Sequence, residues 1–297
     1  MSDVITLAHH DDVPVLQDLY AAAFGALEWE SELFFSMRFV PEDTLVFRRD
    51  GKILAALYLW YGELVCAGQR YPTDYIYAAA TYPDARRQGI MTRLIEAATE
   101  LSLKRDRRFL TLYPANENLY AYYAKKGFIT AFYCKELTLK RDMLSLIADK
   151  HATAPPITNC PSADMLYTLR ETLFARADGF SWNAAALNYA IAYLKDEGQL
   201  IAVEQGGSLC AYCFIKERGS NALLVESVVQ PGAFPALAAE ILRVSSAGSF
   251  RFILPPDFPL SADGFVFRPA GMLRPLTKEG ETAAKLLHNA YLGLPLT

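Results

Sequence analysis

Thr81-Tyr82-Pro83-Asp84-Ala85-Arg86-Arg87-Gln88-Gly89-Ile90-Met91-Thr92 is the stretch on which the fold turns. Before it, Asp74 to Tyr82 is rich in tyrosine and alanine and reads as a strand. After it, the apolar period changes from about 2 to about 3.6. Ile90, Leu94, Ile95, Ala98 and Leu101 then fall on one face, with Arg93, Glu96 and Glu100 on the other. A strand therefore passes through a basic, glycine-containing turn straight into an amphipathic helix. Glycine at a first helical turn lets the backbone approach a ligand closely, and the unpaired N–H groups there, aided by the helix dipole, suit a pyrophosphate. Arg86 and Arg87 add positive charge.

The flanking elements build a half-chain around this unit. A short strand at Val4 to Leu7 precedes a helical pattern from about Asp11 to Phe24, which Asp11 or Asp12 would cap and whose early turn accommodates Pro14. Glu28 to Arg38 is a second helical stretch, with Trp29, Leu33 and Met37 on one stripe. Thr44 to Arg48, the dipeptide Asp50-Gly51 and Lys52 to Trp60 read as a β-hairpin. Downstream come a strand at Phe109 to Tyr113, a helix from about Glu117 to Lys125 and a strand near Phe132 to Leu139. Gly127 suits the left-handed position just past that helix. The order predicts an α/β fold with a mixed, mostly antiparallel central sheet flanked by helices.

With 297 residues the chain can hold a pair of such domains of about 150 residues each. Leu144 to Ala163, carrying His151, Pro155, Pro156 and Pro161, reads as the boundary, giving a domain 1–142, a linker 143–162 and a domain 163–297. The order of elements then repeats. Helical patterns at Ser162 to Arg176 and Asn183 to Leu194 precede strands at Leu200 to Glu204 and Leu209 to Lys216 around Gly206-Gly207. A strand at Leu223 to Val229, a helix from about Pro235 to Ser245 and a strand at Phe250 to Leu254 follow, and Val229-Gln230-Pro231 echoes Thr81-Tyr82-Pro83. The chain reads as a duplication with a worn second copy.

Composition excludes several classes. Hydrophobic residues at 52% and charged residues at 21% do not fit a disordered, collagen-like or coiled-coil chain. Lys+Arg 29 against Asp+Glu 33 leaves a formal charge of −4, so nucleic acid is not an expected partner. The longest apolar run, Ile53 to Tyr61, is far short of the roughly 20 residues of a spanning helix, and Met1-Ser2-Asp3 opens without a basic then apolar leader. No membrane partner and a cytoplasmic location are expected. Cys66, Cys134, Cys160, Cys210 and Cys213 lie mostly in apolar segments and read as reduced core thiols. Cys210 and Cys213 have C-x-x-C spacing, but on a strand residues three apart face opposite sides, and no second Cys or His cluster completes a ligand set, so no metal is expected. His9, His10, His151 and His288 form no constellation.

Asn116-Glu117-Asn118-Leu119-Tyr120-Ala121-Tyr122-Tyr123-Ala124-Lys125-Lys126-Gly127-Phe128 resembles the Asn…Tyr-x-x-x-Gly-Phe signature of the GNAT superfamily of acyl-CoA N-acyltransferases. The turn from Arg86 resembles that superfamily's Arg-x-x-Gly-x-Gly/Ala loop, in the right order and on the right elements. The whole chain resembles tandem members whose second domain has lost its cofactor motif. Here Gly232-Ala233-Phe234-Pro235 stands where the arginine and glycine loop belongs, so the second copy is not expected to bind acyl-CoA.

The resemblance implies acetyl-CoA as co-substrate and a role for each matching residue. The backbone of Ala79, Ala80 and Thr81 would face the pantetheine arm and the acetyl carbonyl, where an N–H polarises the thioester. Arg86, Arg87, Gln88, Gly89, Ile90, Met91 and Thr92 would hold the pyrophosphate, and Asn116 would face the cofactor. Tyr123 matches the tyrosine that protonates the departing thiolate, a task suited to a phenol with a pKa of about 10; Tyr120 and Tyr122 compete for this assignment. The sequence departs from the pattern where Met91 replaces a small loop residue, which a side chain turned to the core would make harmless. It departs again where Tyr77 stands in place of the strand glutamate of many members. The general base is then open among Asp74, Glu28, Glu30, Glu32, ordered water and the terminal carboxylate of Thr297.

The expected activity is N-acetyl transfer by direct attack in a ternary complex. Trp29 and Glu30, in Glu28 to Phe35, together with Tyr77, would line the site of a cationic, partly apolar acceptor, a small-molecule or peptide amine. The alternative is a catalytically silent acyl-CoA-binding sensor or interaction protein. Hydrolase and dinucleotide readings lack the G-x-S-x-G, G-x-G-x-x-G or P-loop stretch that their mechanisms require. A homo-oligomer is compatible with the sequence.

Overall fold

The computed structural model describes residues 2–148, 161–174, 177–258 and 264–294. Most of the expected linker, with His151 and Cys160, lies outside the described residues, as do Ala175, Arg176 and Thr297. The element order is β1 (Asp3–Leu7), α1 (Val13–Phe24), α2 (Glu28–Met37), β2 (Thr44–Arg49), β3 (Lys52–Cys66), β4 (Gln69–Thr81), α3 (Ile90–Lys104), β5 (Phe109–Leu112) and α4 (Glu117–Ala124). It continues with β6 (Ile129–Lys140), α5 (Arg141–Ile147), α6 (Ala163–Phe174), β7 (Gly179–Trp182), α7 (Ala184–Glu197), β8 (Gln199–Gln205), β9 (Ser208–Arg218) and β10 (Asn221–Val229). The last elements are α8 (Phe234–Val244), β11 (Ser249–Leu254), β12 (Val266–Pro275) and α9 (Lys278–Ala284). The fold is mixed α/β with mostly antiparallel pairing. No helix among the described residues is long and apolar enough to cross a membrane.

The chain forms two compact units that alternate along the sequence. The first comprises Met1–Leu64, Arg70–Ile129 and Met272–Leu286. Its strands run in the order β1-β2-β3-β4-β5-β12, with β4 and β5 parallel and α3 as their crossover. The final strand is the end of β12, where Met272↔Leu112 to Pro275↔Phe109 pair antiparallel. Asp50 and Gly51 both have positive φ, 48° and 81°, as the expected hairpin turn requires. The next strands run longer than the sequence reading, because pairing continues through the more polar Tyr61-Gly62-Glu63 to a turn at Ala67-Gly68. α3 buries Ile90, Leu94, Ile95 and Ala98 as its period predicts, each large aliphatic contributing about 1.5–3 kcal/mol.

The second unit comprises Val65–Gln69, Thr130–Gly271 and Leu287–Thr297. Here β12 begins the order β12-β6-β11-β10-β9-β8, with β10 and β11 parallel and α8 as their crossover. The β8–β9 hairpin turns at Gly206 and Gly207, both at positive φ. α8 buries Phe234, Leu237, Ala238 and Ile241. Cys210 and Cys213 lie on β9, whose residues from Leu209 to Ile215 are all buried, so both cysteines are core thiols. The sequence reading assigns no element to α5, β7, β12 or α9. Each except β12 is at most seven residues long, too short for a periodic signal.

Candidate active site

In the first unit β4 and β5 pair over Thr73↔Phe109, Asp74↔Leu110 and Tyr75↔Thr111, and β4 then runs on to Thr81. Past Tyr75 the β5-facing edge of β4 is open, and backbone N–H and C=O groups there are available to an extended ligand. Ala78 sits in this open stretch with φ 46°, a left-handed conformation inside a strand. Ala78, Ala79 and Thr81 are half-buried, whereas Ala80 is buried.

The turn is fixed at both ends. Tyr82 N–H donates to Leu54 O at 3.0 Å, and Arg86 Nε donates to Thr81 O at 3.1 Å. Arg49 on β2 donates to Gln88 Oε1 at 2.7 Å, while Gln88 Nε2 donates to Asp84 O at 3.3 Å. Arg49 is itself braced by Asp3, which Arg93 also contacts, and these guanidiniums, Arg49 first, hold the Asp3 carboxyl down at about 2. Arg87 and Gly89 both take positive φ, 63° and 75°, and Gly89 is the residue before α3. Left-handed turns of this kind align successive N–H groups into an anion-holding concavity, here continuous with the first-turn amides of Ile90, Met91 and Thr92. Met91 packs against the core, so it does not crowd the turn.

α4 brings the second motif to the same place. Asn116 is its N-cap, its side-chain oxygen accepting from Leu119 N–H at 3.3 Å, and its side chain is exposed. Tyr123 is buried in the cluster that also holds Ile76, Ile90 and Leu94. Its carbonyl accepts from Lys126 and Phe128 N–H, which lock the end of α4 around Gly127 at φ 83°. Burial pushes the Tyr123 phenol up to about 12. Its hydroxyl has no hydrogen-bond partner among the described residues. Tyr122 places its hydroxyl 3.5 Å from Thr92 Oγ1, and Tyr120 packs at the edge of the cluster.

Tyr77 faces α1 and α2. It stacks on Trp60 with ring centroids 4.0 Å apart, touches Phe34, and shares a 3.1 Å hydroxyl contact with Tyr20. Trp29 and Glu30 are half-buried on α2, and Glu30 caps that helix by accepting from Leu27 N–H at 2.7 Å. Asp74 is buried, with Ser102 Oγ at 2.7 Å on one carboxylate oxygen and Arg107 Nε at 2.9 Å on the other. That bonding makes it a tie between β4 and the end of α3, with neither oxygen facing an acceptor. Glu28 and Glu32 are exposed. Sequence reasoning missed Arg49, Tyr20 and Ala78. An antiparallel hairpin partner and a strand bulge leave no mark in local spacing.

Among the described residues no group of three His, Cys, Asp or Glu side chains converges on a metal-sized site. Residues 5–131 match the family described as Acetyltransferase (GNAT) domain. No curated protein matches the chain. Solved structures share the fold. A probable N-acyltransferase of Enterococcus faecalis is 19% identical, with TM-score 0.75, over 93% of this chain and 73% of its own. A GCN5-related N-acetyltransferase of Anabaena variabilis is 20% identical, with TM-score 0.75, over 93% of this chain and 73% of its own. A tandem GNAT protein from the clavulanic acid biosynthesis pathway is 19% identical, with TM-score 0.52, over 93% of this chain and 98% of its own. The match to the GNAT acetyltransferase domain thus spans residues 5–131, the part of the chain built around the open edge of β4 and the turn into α3.

Proposed function

We propose that the protein is an N-acetyltransferase that moves the acetyl group of acetyl-CoA to a primary amine by direct attack in a ternary complex. The observation that carries this reading is the convergence, in one unit, of the open β4 edge, the left-handed turn at Arg87 and Gly89, and Tyr123. The residues suit acetyl-CoA: an anion fits the amides of Arg87 to Thr92, and an extended amide-bearing arm fits the β4 edge at Ala79, Ala80 and Thr81.

In this reading a backbone N–H of β4 polarises the thioester carbonyl. The amine nitrogen bonds to the carbonyl carbon, the C–S bond breaks, and the sulfur takes the proton of Tyr123, whose raised pKa keeps it protonated at neutral pH. Because Asp74 is tied to Ser102 and Arg107, the amine's own proton leaves through water or through a carboxylate other than Asp74. The acceptor, a small-molecule or peptide amine, approaches from the α1–α2 face, where Trp29, Glu30 and Tyr77 lie. We assign the acetyltransferase domain to residues 1–142, and a degenerate second GNAT-like copy to 163–297, where strand directions repeat but the basic turn does not. A cytoplasmic location accords with the four described cysteines, all buried and outside any disulfide among the described residues.

The test is release of free thiol from acetyl-CoA with a panel of amines, beside calorimetric binding of acetyl-CoA. Turnover that Tyr123→Phe abolishes with binding intact supports the reading. Binding without turnover for any amine would favour the silent acyl-CoA binder, a rival that the immobilised Asp74 makes worth separating.

A further inference from the structure

The second unit has a cleft of its own, of about 900 Å³, within the size range of small-molecule sites. It lies where a parallel strand pair parts. β10 and β11 pair from Asn221↔Ser249 to Leu224↔Phe252 and then part, β10 staying paired to β9 up to Val229 and β11 to β6 up to Leu254. The wedge is walled by Val229 and Pro231 after β10, by Phe234 and Pro235 at the start of α8, and by Pro255 and Phe258 after β11. Phe234 and Phe258 meet edge to face at 5.6 Å and form an apolar floor.

The cleft occupies the place in its unit that the candidate acyl-donor site occupies in the other, yet its chemistry is inverted. Pro231, Pro235 and Pro255 carry no N–H at all. The N–H groups of Gln230, Ala233 and Phe258 are already bonded, to Cys210 O, Gln230 O and Pro255 O. No Lys or Arg is among the described lining residues. Lys135, nearby, directs its ammonium to Phe258 O at 3.1 Å. Among the described lining residues the one charged side chain is the exposed carboxylate of Asp257 at the rim. Apolar walls, three prolines without an N–H and one rim carboxylate fit an apolar organic cation better than a phosphate or a fatty carboxylate.

We propose that this cleft is a binding site for an amphiphilic amine, its apolar body on Phe234 and Phe258 and its ammonium toward Asp257. The proposal is independent of turnover and of the acetyl-CoA site. The experiment titrates dansylcadaverine, an apolar fluorophore bearing a primary amine, into the full chain without acyl donor, with dansylglycine as the anionic counterpart. Saturable binding of the amine, at least fivefold tighter than the anion, is expected. Asp257→Lys should weaken the amine by about fivefold and narrow or reverse the preference. Thr172→Trp, which adds bulk from an exposed helical position on the lining, should abolish binding, whereas Gly89→Glu in the other unit should leave it unchanged. Equal affinity for both probes, binding that survives Thr172→Trp, loss in Gly89→Glu, or no saturable binding by folded wild type would each overturn the proposal.

Discussion

Replacing Tyr123 by Phe removes one oxygen and leaves the ring where it packs, 5.7 Å from Phe128 and 5.1 Å from Tyr122 between centroids. Since no described residue bonds the hydroxyl, its loss leaves no partner unsatisfied, and folding stability should move by no more than about 0.5 kcal/mol. If the phenol protonates the departing thiolate, kcat should fall by about 10²–10³, or roughly 3–4 kcal/mol of barrier. The assay is steady-state thiol release with a turned-over amine, run beside thermal unfolding and acetyl-CoA calorimetry, with Tyr120→Phe and Tyr122→Phe as controls. Burial holds the Tyr123 pKa at about 12, so in wild type this group should produce no alkaline fall in kcat below about pH 11. A kcat within threefold of wild type, or an equal loss in the Tyr122 variant, would refute the assignment of the proton donor.

Other expectations follow from the same geometry. Asp74→Ala breaks the buried tie to Ser102 and Arg107 and should cost about 2–3 kcal/mol, below the full range for a buried pair because the Arg107 side chain is 22% exposed; an unchanged urea midpoint would contradict it. Gly89→Glu forces a side chain into φ 75° with no neighbour within 4 Å, so the strain is only about 1–2 kcal/mol, and the folded variant should lose calorimetric acetyl-CoA binding through charge and bulk. Arg49→Ala releases Gln88 and should raise the KM for acetyl-CoA several-fold with kcat unchanged; a fall in kcat at constant KM would show that the tether acts elsewhere. Burial raises the phenols of Tyr58, Tyr75 and Tyr123 above their unfolded value near 10, so their contribution is complete below about pH 10 and is lost as pH climbs through the folded values; a Tm that falls instead between pH 8 and 9 would contradict this.

What could be read from the sequence was local. The change of period at Ile90, the Asp50-Gly51 turn and the stop at Gly127 are each decided within a few residues, and the structure carries all of them. Asn116 and Tyr123 are picked out by the resemblance of Asn116 to Phe128 to the GNAT signature, and they lie at the N-cap and in the last turn of α4. The assignment of β6 and β12 to units could not be read this way. β12 contributes Met272 to Pro275 to the first unit, and β6 belongs to the second from Thr130 onward, because strand pairing is settled by long-range hydrogen bonds and a linear reading follows the chain. The same limit hid the Arg49 tether, whose partner lies 39 residues away. It also hid the anchoring of Asp74: its neighbours in sequence are apolar, and Ser102 and Arg107 reach it only after α3 has folded back.

The backbone strain in the first unit has a location that packing alone does not require. Asp50 and Asp106 adopt left-handed φ in turns that close a chain reversal or end a helix, where the reversal itself offsets the cost. Ala78 adopts it inside a strand and Arg87 in the turn two residues before Gly89, each at roughly 1–2 kcal/mol. Both lie past Tyr75, where β4 has left β5. The buried tie lies on the other side of that point, where Asp74 holds the closed end to α3, while Arg49 and Leu54 hold the turn itself from the β2–β3 side. Strain in the open half and anchors around it both fall at the β4 edge and the turn into α3, the stretch that the proposed function assigns to the acyl donor. In the second unit the parted strands lead instead to three prolines, and the described lining there is mainly apolar with Asp257 at its rim.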